Sequence, residues 1–158
     1  MKTTNLIGLD TEKTKTMVEQ LNDLLANYQI FYQNLRGFHW NIKGKLFFAL
    51  HAKFEEYYQD AVEKIDELAE RVLALEGKPL HTYSAYMKQA EIKEVANVSD
   101  ATSCIQHVID NLLVLLKKER AILKLAGELG DDGTQDLINP YISKQEKTLW
   151  MLRAYLSE

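Results

Sequence analysis

One cysteine, two prolines and seven glycines are few for a chain of 158 residues, and each shortage excludes something. A lone thiol, Cys104, rules out an internal disulfide framework. So few residues that break or turn the backbone argue against a sheet built from many short strands. No apolar run approaches the roughly 20 residues needed to cross a bilayer, so a membrane span is not expected. The N-terminal "MKTTNLIGLD" lacks the apolar centre of a signal peptide, and the chain reads as cytoplasmic. An excess of basic charge is missing too: 19 Lys and Arg stand against 23 Asp and Glu, a formal net charge of −4. That balance argues against a broad positive surface for nucleic acid.

What remains is abundant Leu, Ala, Glu, Lys and Gln, all good helix formers, with 46% hydrophobic residues. The length suits one domain, 1–158, with a core of its own. Apolar residues at steps of three and four mark four long helices. Val18, Leu21, Leu24, Leu25, Tyr28, Phe31, Leu35 and Phe38 place the first at about 11–42, with Lys43-Gly44 as a stop. Phe47, Leu50, Phe54, Tyr58, Val62, Ile65, Ala69, Val72 and Leu75 place the second at about 46–76, ended by Gly77 and Pro79. The stretch 77–98 is too long for a tight turn, and "YSAYMKQAEI" predicts a short helix inside it. Ser99 or Asp100 caps the third long helix, which runs to Gly127 or Gly130. The last helix starts either after Thr134 or at Asn139-Pro140, and a break or kink is expected at Pro140. The expected fold is all-α: a ferritin-like four-helix bundle whose two hairpins are joined by a long connection carrying a short extra helix.

The second helix carries the chemistry. His51 and Glu55 are four residues apart, as are Asp66 and Glu70, so each pair projects from one face about one turn apart. Each pair resembles half a metal site. From His51 to Glu70, however, is roughly 28 Å along the axis, while ligands lie about 2 Å from a metal ion. The positions of His51 and Glu70 add to 121, and so do those of Glu55 and Asp66. A two-fold axis crossing this helix between Asp60 and Ala61 would therefore bring each residue opposite its counterpart in an antiparallel second copy. Two half-sites become two whole ones, and His39, at the end of the first helix, joins the histidine half. The resulting set is His39, His51 and Glu55 from one chain with Asp66 and Glu70 from the other.

A plainer reading exists for every member. Histidines on inward faces are more often hydrogen-bonded core or interface groups, and Asp66 and Glu70 could pair with Lys64 or Arg71. Trp40 and Trp150 read as packing residues, His81 and His107 as solvated, and Cys104 as an inert core thiol.

The segments "FHW", "FFALHAKFEEYY" and "IDELAERVLALEGKPL", in this order and spacing, closely resemble the Dps family, the DNA-binding proteins from starved cells or miniferritins. "GDDGTQDLI" and "LWMLRAYL" extend the resemblance over about 20–157. It implies a hollow shell of twelve subunits that binds Fe(II) at sites shared between two of them. It also implies oxidation of that iron, preferentially with hydrogen peroxide, and storage of ferric mineral. By that pattern His39, His51, Asp66 and Glu70 are iron ligands, while Glu55 stands where many members carry aspartate. Acids between Glu128 and Asp136 would line a three-fold pore admitting iron, with Asp131, Asp132 and Asp136 as candidates. DNA binding is expected to be weak or absent. Residues 1–20 hold Lys2, Lys13 and Lys15 against Asp10, Glu12 and Glu19, and twelve copies at −4 each give a shell of about −48.

Overall fold

The computed structural model describes residues 3–157, and among them the helices are α1 (Thr11–Asn41), α2 (Phe47–Ala74), α3 (Tyr83–Gln89), α4 (Ala101–Leu129) and α5 (Asp132–Leu156). α1 packs on α2, α4 on α5, α1 on α4, and the short α3 lies on α1. This is the expected all-α four-helix bundle with an extra helix in the crossover.

Caps account for most boundaries. Asp10 accepts from the Lys13 amide to open α1, and Asp100 accepts from the Ser103 amide to open α4. Gly130, at φ 72°, closes α4 in the left-handed region while the Asp131 amide bonds back to the Ala126 carbonyl at 2.8 Å, a Schellman-type end. Gly44, at φ 106°, makes the tight return between α1 and α2.

The last helix differs from expectation. α5 begins at Asp132, capped by Asp131, and continues without a break through Pro140. Two facts make that tolerable. Asp136, whose carbonyl loses its usual amide donor, and Pro140 are both exposed, so water can serve the carbonyl. Meanwhile Ile138, Tyr141, Ile142 and Gln145 are buried in one stripe that spans the proline, so packing holds both halves in line.

Three asparagines of α1, unremarked in the sequence, tie the crossover to the bundle. The Asn22 side-chain carbonyl accepts from the Leu80 amide (2.9 Å), that of Asn27 from the amides of Glu91 and Ile92 (3.0 and 2.9 Å), and that of Asn34 from Val95 (3.0 Å). They satisfy backbone groups that would otherwise be stranded beside a buried helix. Residues 3–10 are held as well: Asn5 accepts from the amides of Ile7 and Leu9, and the Leu6 amide donates to Glu76.

α2 and α5 are joined chiefly by side chains. Lys144 reaches Asp60 at 2.5 Å, Tyr141 donates to Glu67, and Arg71 spans to Asp131 at 2.6 Å and Thr134 at 2.9 Å. Cys104 is wholly buried in the core, where desolvation pushes its thiol up to about 11. Trp40 and Trp150, read as packing residues, are instead 59% and 66% exposed in the single chain. Of the other two histidines, His81 is exposed as expected, whereas His107 is half-buried and stacks on Phe38.

Candidate metal centre

His39 lies in the last turn of α1 and His51 at the start of α2, so the hairpin brings them face to face. Their rings stack with centroids 3.8 Å apart and planes 13° from parallel. The hydrogen bonds are reciprocal: His39 Nδ1 lies 2.6 Å from the His51 carbonyl, and His51 Nδ1 lies 2.7 Å from the His39 carbonyl. A carbonyl oxygen only accepts, so each Nδ1 carries a proton and donates. In the neutral imidazole that leaves Nε2 as the bare lone pair on both rings. The His39 carbonyl is available because the last four carbonyls of a helix lack an intrahelical partner.

The pair is boxed in. Phe47 stacks on the outer face of His51 (5.0 Å, 17°), and Tyr58 meets the His39 ring edge-on at 5.2 Å. Packing and hydrogen bonds together fix both the tautomer and the ring plane, which metal-binding histidines need. His39 is 7% exposed and His51 half-buried, so the open side of the pair lies along α2.

Glu55 follows one turn below His51, half-buried, with the Tyr58 hydroxyl 3.5 Å from it. Asp66 and Glu70 sit much farther down and are exposed. Neither takes the plainer role of a salt-bridge partner, because Lys64 pairs with Asp60 and Arg71 with Asp131. His51 and Asp66 are some 22 Å apart along α2 at about 1.5 Å per residue. The structure brings together His39 and His51, with Glu55 one turn along α2 from His51, and leaves Asp66 and Glu70 remote. Among the described residues, no three His, Cys, Asp or Glu gather within one chain closely enough to hold a metal ion.

The same side of α2 is unusually apolar. Phe48, Val62 and Leu73 are 85%, 41% and 58% exposed. At 100° per residue they fall within about 60° of a line through His51, Glu55 and Asp66. Phe48 and Leu73 also add to 121, as do Ala52 and Ala69. An antiparallel second copy on the same axis would set Phe48 against Leu73, place Val62 opposite Gln59, and bring the helices close at paired alanines.

The acidic segment divides. Asp131 is 2% exposed, with one oxygen on Arg71 (2.6 Å) and on the Thr134 amide (3.0 Å) and the other taking the Thr134 hydroxyl (2.5 Å). Its carboxylate is used up in capping α5 and fastening it to α2. A Cβ on Gly133 would sit 2.9 Å from the Arg71 guanidinium, so a side chain there would push the guanidinium off its present position. Asp132 and Asp136 remain exposed and form no ion pair among the described residues.

Sequence reasoning missed the second polar cluster, deep in the bundle. Glu119 of α4, wholly buried, accepts from the Tyr28 hydroxyl at 2.5 Å and the Gln145 amide at 3.0 Å. Burial pushes its carboxyl up to about 7, more than the bonds from Tyr28 and Gln145 and the positive charge of Lys64 pull it down. The signal was there: Glu119 stands in phase with the apolar stripe of Leu112, Leu115 and Ile122.

Four helices with one long crossover define the ferritin-like class, and metal sites in that class are made by side chains of facing helices. The chain matches the ferritin-like domain family over residues 18–158. An "Uncharacterized protein" of Haemophilus influenzae is 48% identical over 148 residues, which cover 94% of this chain and 92% of that one. The "DNA protection during starvation protein" of Porphyromonas gingivalis is 46% identical over 157 residues, 99% of each. The crystal structure of the Dps protein from Vibrio cholerae O1, described as a member of a broad superfamily of ferritin-like diiron-carboxylate proteins, has a TM-score of 0.96 at 55% identity. It covers 99% of this chain and 98% of its own. The chain belongs to the Dps family of ferritin-like proteins.

Proposed function

We propose that the protein is an iron-detoxifying and iron-storing shell of twelve subunits. It oxidises Fe(II), preferentially with hydrogen peroxide, at sites made by His39, His51 and Glu55 of one subunit with the partner subunit's Asp66 and Glu70. The observation that carries the reading is the reciprocal histidine pair. Two imidazoles with Nδ1 committed to carbonyls offer two Nε2 lone pairs, and nothing else among the described residues of one chain completes a ligand set. The unpaired Asp66 and Glu70, on the same open side of α2, supply the missing oxygen donors when a second copy docks.

Iron is the substrate here. Imidazole and carboxylate accommodate both of its oxidation states, and a sparse ligand set leaves room for the oxidant. Two Fe(II) ions give up one electron each, and one peroxide takes both to become two hydroxides. No single electron is left over to make a hydroxyl radical. Asp132 and Asp136 are the exposed acids suited to drawing cations towards a pore, while Asp131 is spent on structure.

The name of the Porphyromonas gingivalis relative speaks of DNA protection. Removing Fe(II) and peroxide together protects DNA without touching it. The fold adds to the charge argument against contact: residues 3–10 are bonded to themselves and to Glu76, not left as a basic tail. The deciding test is anaerobic Fe(II) loading followed by peroxide. We expect a ferric absorbance rise at about two Fe(II) per peroxide and quenching of tryptophan emission, since Trp40 adjoins His39. Absence of faster oxidation than in protein-free buffer would overturn the reading.

A further inference from the structure

The gap between α2 and α5 holds a cavity of about 240 Å³ that iron chemistry does not use. Its residues on α2, Lys53, Tyr57, Asp60 and Lys64, lie on the side of the helix opposite the Phe48–Leu73 stripe, so docking along that stripe leaves the cavity open. The middle is apolar, walled by Phe31, Val108 and Leu112. The inner end is polar and deeply buried: Tyr28, Gln145 and Lys64 are 1%, 4% and 6% exposed.

Charge and hydrogen bonding both ask for an occupant. Lys53, Lys64, Lys144 and Lys147 face the cavity against only Glu56 and Asp60, an excess of positive charge on a chain that is negative as a whole. Asp60 is shared between Lys64 and Lys144, Lys53 takes Glu56 at 2.8 Å, and Lys147 has no ion pair among the described residues. Lys64 gives a hydrogen bond to Asp60, one of the three an ammonium can make.

We propose that this cavity binds a small aromatic hydroxy acid. The carboxylate sits among the lysines at the mouth, the ring lies on Phe31 and Leu112, and a hydroxyl para to the carboxylate reaches the inner end. There it accepts from Lys64 Nζ, whose remaining N–H groups are free to donate. An apolar slot with a few convergent polar groups is the usual form of a small-molecule site, and this volume suits a single ring. The proposal is independent of the iron reading and is tested without iron.

The probe is 4-hydroxybenzoate, titrated into the assembled, iron-free protein by calorimetry. We expect one saturable site per subunit with Kd of about 1 mM or tighter. Benzoate, lacking the hydroxyl, should bind several-fold more weakly, and 4-hydroxybenzyl alcohol, lacking the charge, about tenfold more weakly. Replacing the exposed Lys144→Gln and Lys147→Gln together should also weaken binding about tenfold without touching the core. Leu112→Phe, which narrows the slot, should abolish binding while circular dichroism and assembly stay unchanged. No saturation up to about 10 mM, equal binding of the alcohol, or indifference to the two lysine substitutions would each overturn the proposal.

Discussion

Glu119 is the clearest single departure from what its neighbours in sequence lead one to expect. A carboxyl in a bundle core is costly when charged, and α1, α2 and α5 face it with Tyr28, Lys64, Gln145 and Tyr141. Arg120 is a further, weaker positive influence. Because its folded-state value of about 7 lies above the ordinary 4.5, the native state holds this proton more tightly than the unfolded chain. The contribution is therefore complete below about pH 4.5 and is lost as pH rises through about 7. The difference corresponds to at most roughly 3 kcal/mol per subunit. Glu119→Gln keeps an acceptor for Tyr28 and Gln145 and removes the titrating proton. Melting at pH 5.5 and pH 8, at fixed subunit concentration, should show the wild type losing stability at the higher pH and the variant losing distinctly less. Parallel shifts in the two proteins would refute the assignment.

The start of α5 shows how an element borrows from its neighbours. Asp131 caps it, Arg71 of α2 holds the cap, and Gly133 makes room for the guanidinium. Asp131→Ala should cost about 2–4 kcal/mol, since it removes a cap and leaves a largely buried arginine without its carboxylate. Denaturant unfolding measures this directly. The double change Asp132→Asn and Asp136→Asn should do the reverse, leaving stability within about 0.5 kcal/mol while slowing iron uptake at low ionic strength. Uptake kinetics identical to wild type would refute the proposed pore role of these acids. Pro140 carries the same lesson in a different form. Its propensity argues for a break, but a continuous buried stripe and a water-facing carbonyl outweigh it.

In the assembled molecule the decisive quantity is whether a site belongs to one chain or two. A variant with His39→Ala and His51→Ala, and another with Asp66→Ala and Glu70→Ala, should each be inactive as homodimers. Co-assembled, a mixed pair has one complete site and one doubly broken one. With random pairing about half the dimers are mixed, so about a quarter of the wild-type activity should return. Zero recovery in assemblies shown by native mass spectrometry to be mixed would exclude a shared site. The proposed twelve-subunit shell, at about −48, should likewise fail to retard plasmid DNA at neutral pH and about 0.15 M salt, where few phosphate contacts are available and those are screened. Retardation under those conditions would reveal a basic surface formed only on assembly.

Helix count, the crossover and its short helix could all be read from the period of apolar residues, because burying one face of a helix imposes that period directly. The spacing of His51, Glu55, Asp66 and Glu70 was legible for the same reason: positions on a long helix have known angles and heights. What the chain order does not carry is which groups from different helices meet. The exchange of Nδ1–H bonds between His39 and His51 depends on the turn at Gly44. The withdrawal of Asp131 from the exposed acids depends on an arginine sixty positions away. The elevation of Glu119 depends on three helices closing over it. Each is set by packing between segments remote in sequence, where desolvation and geometry, not spacing, choose the partner.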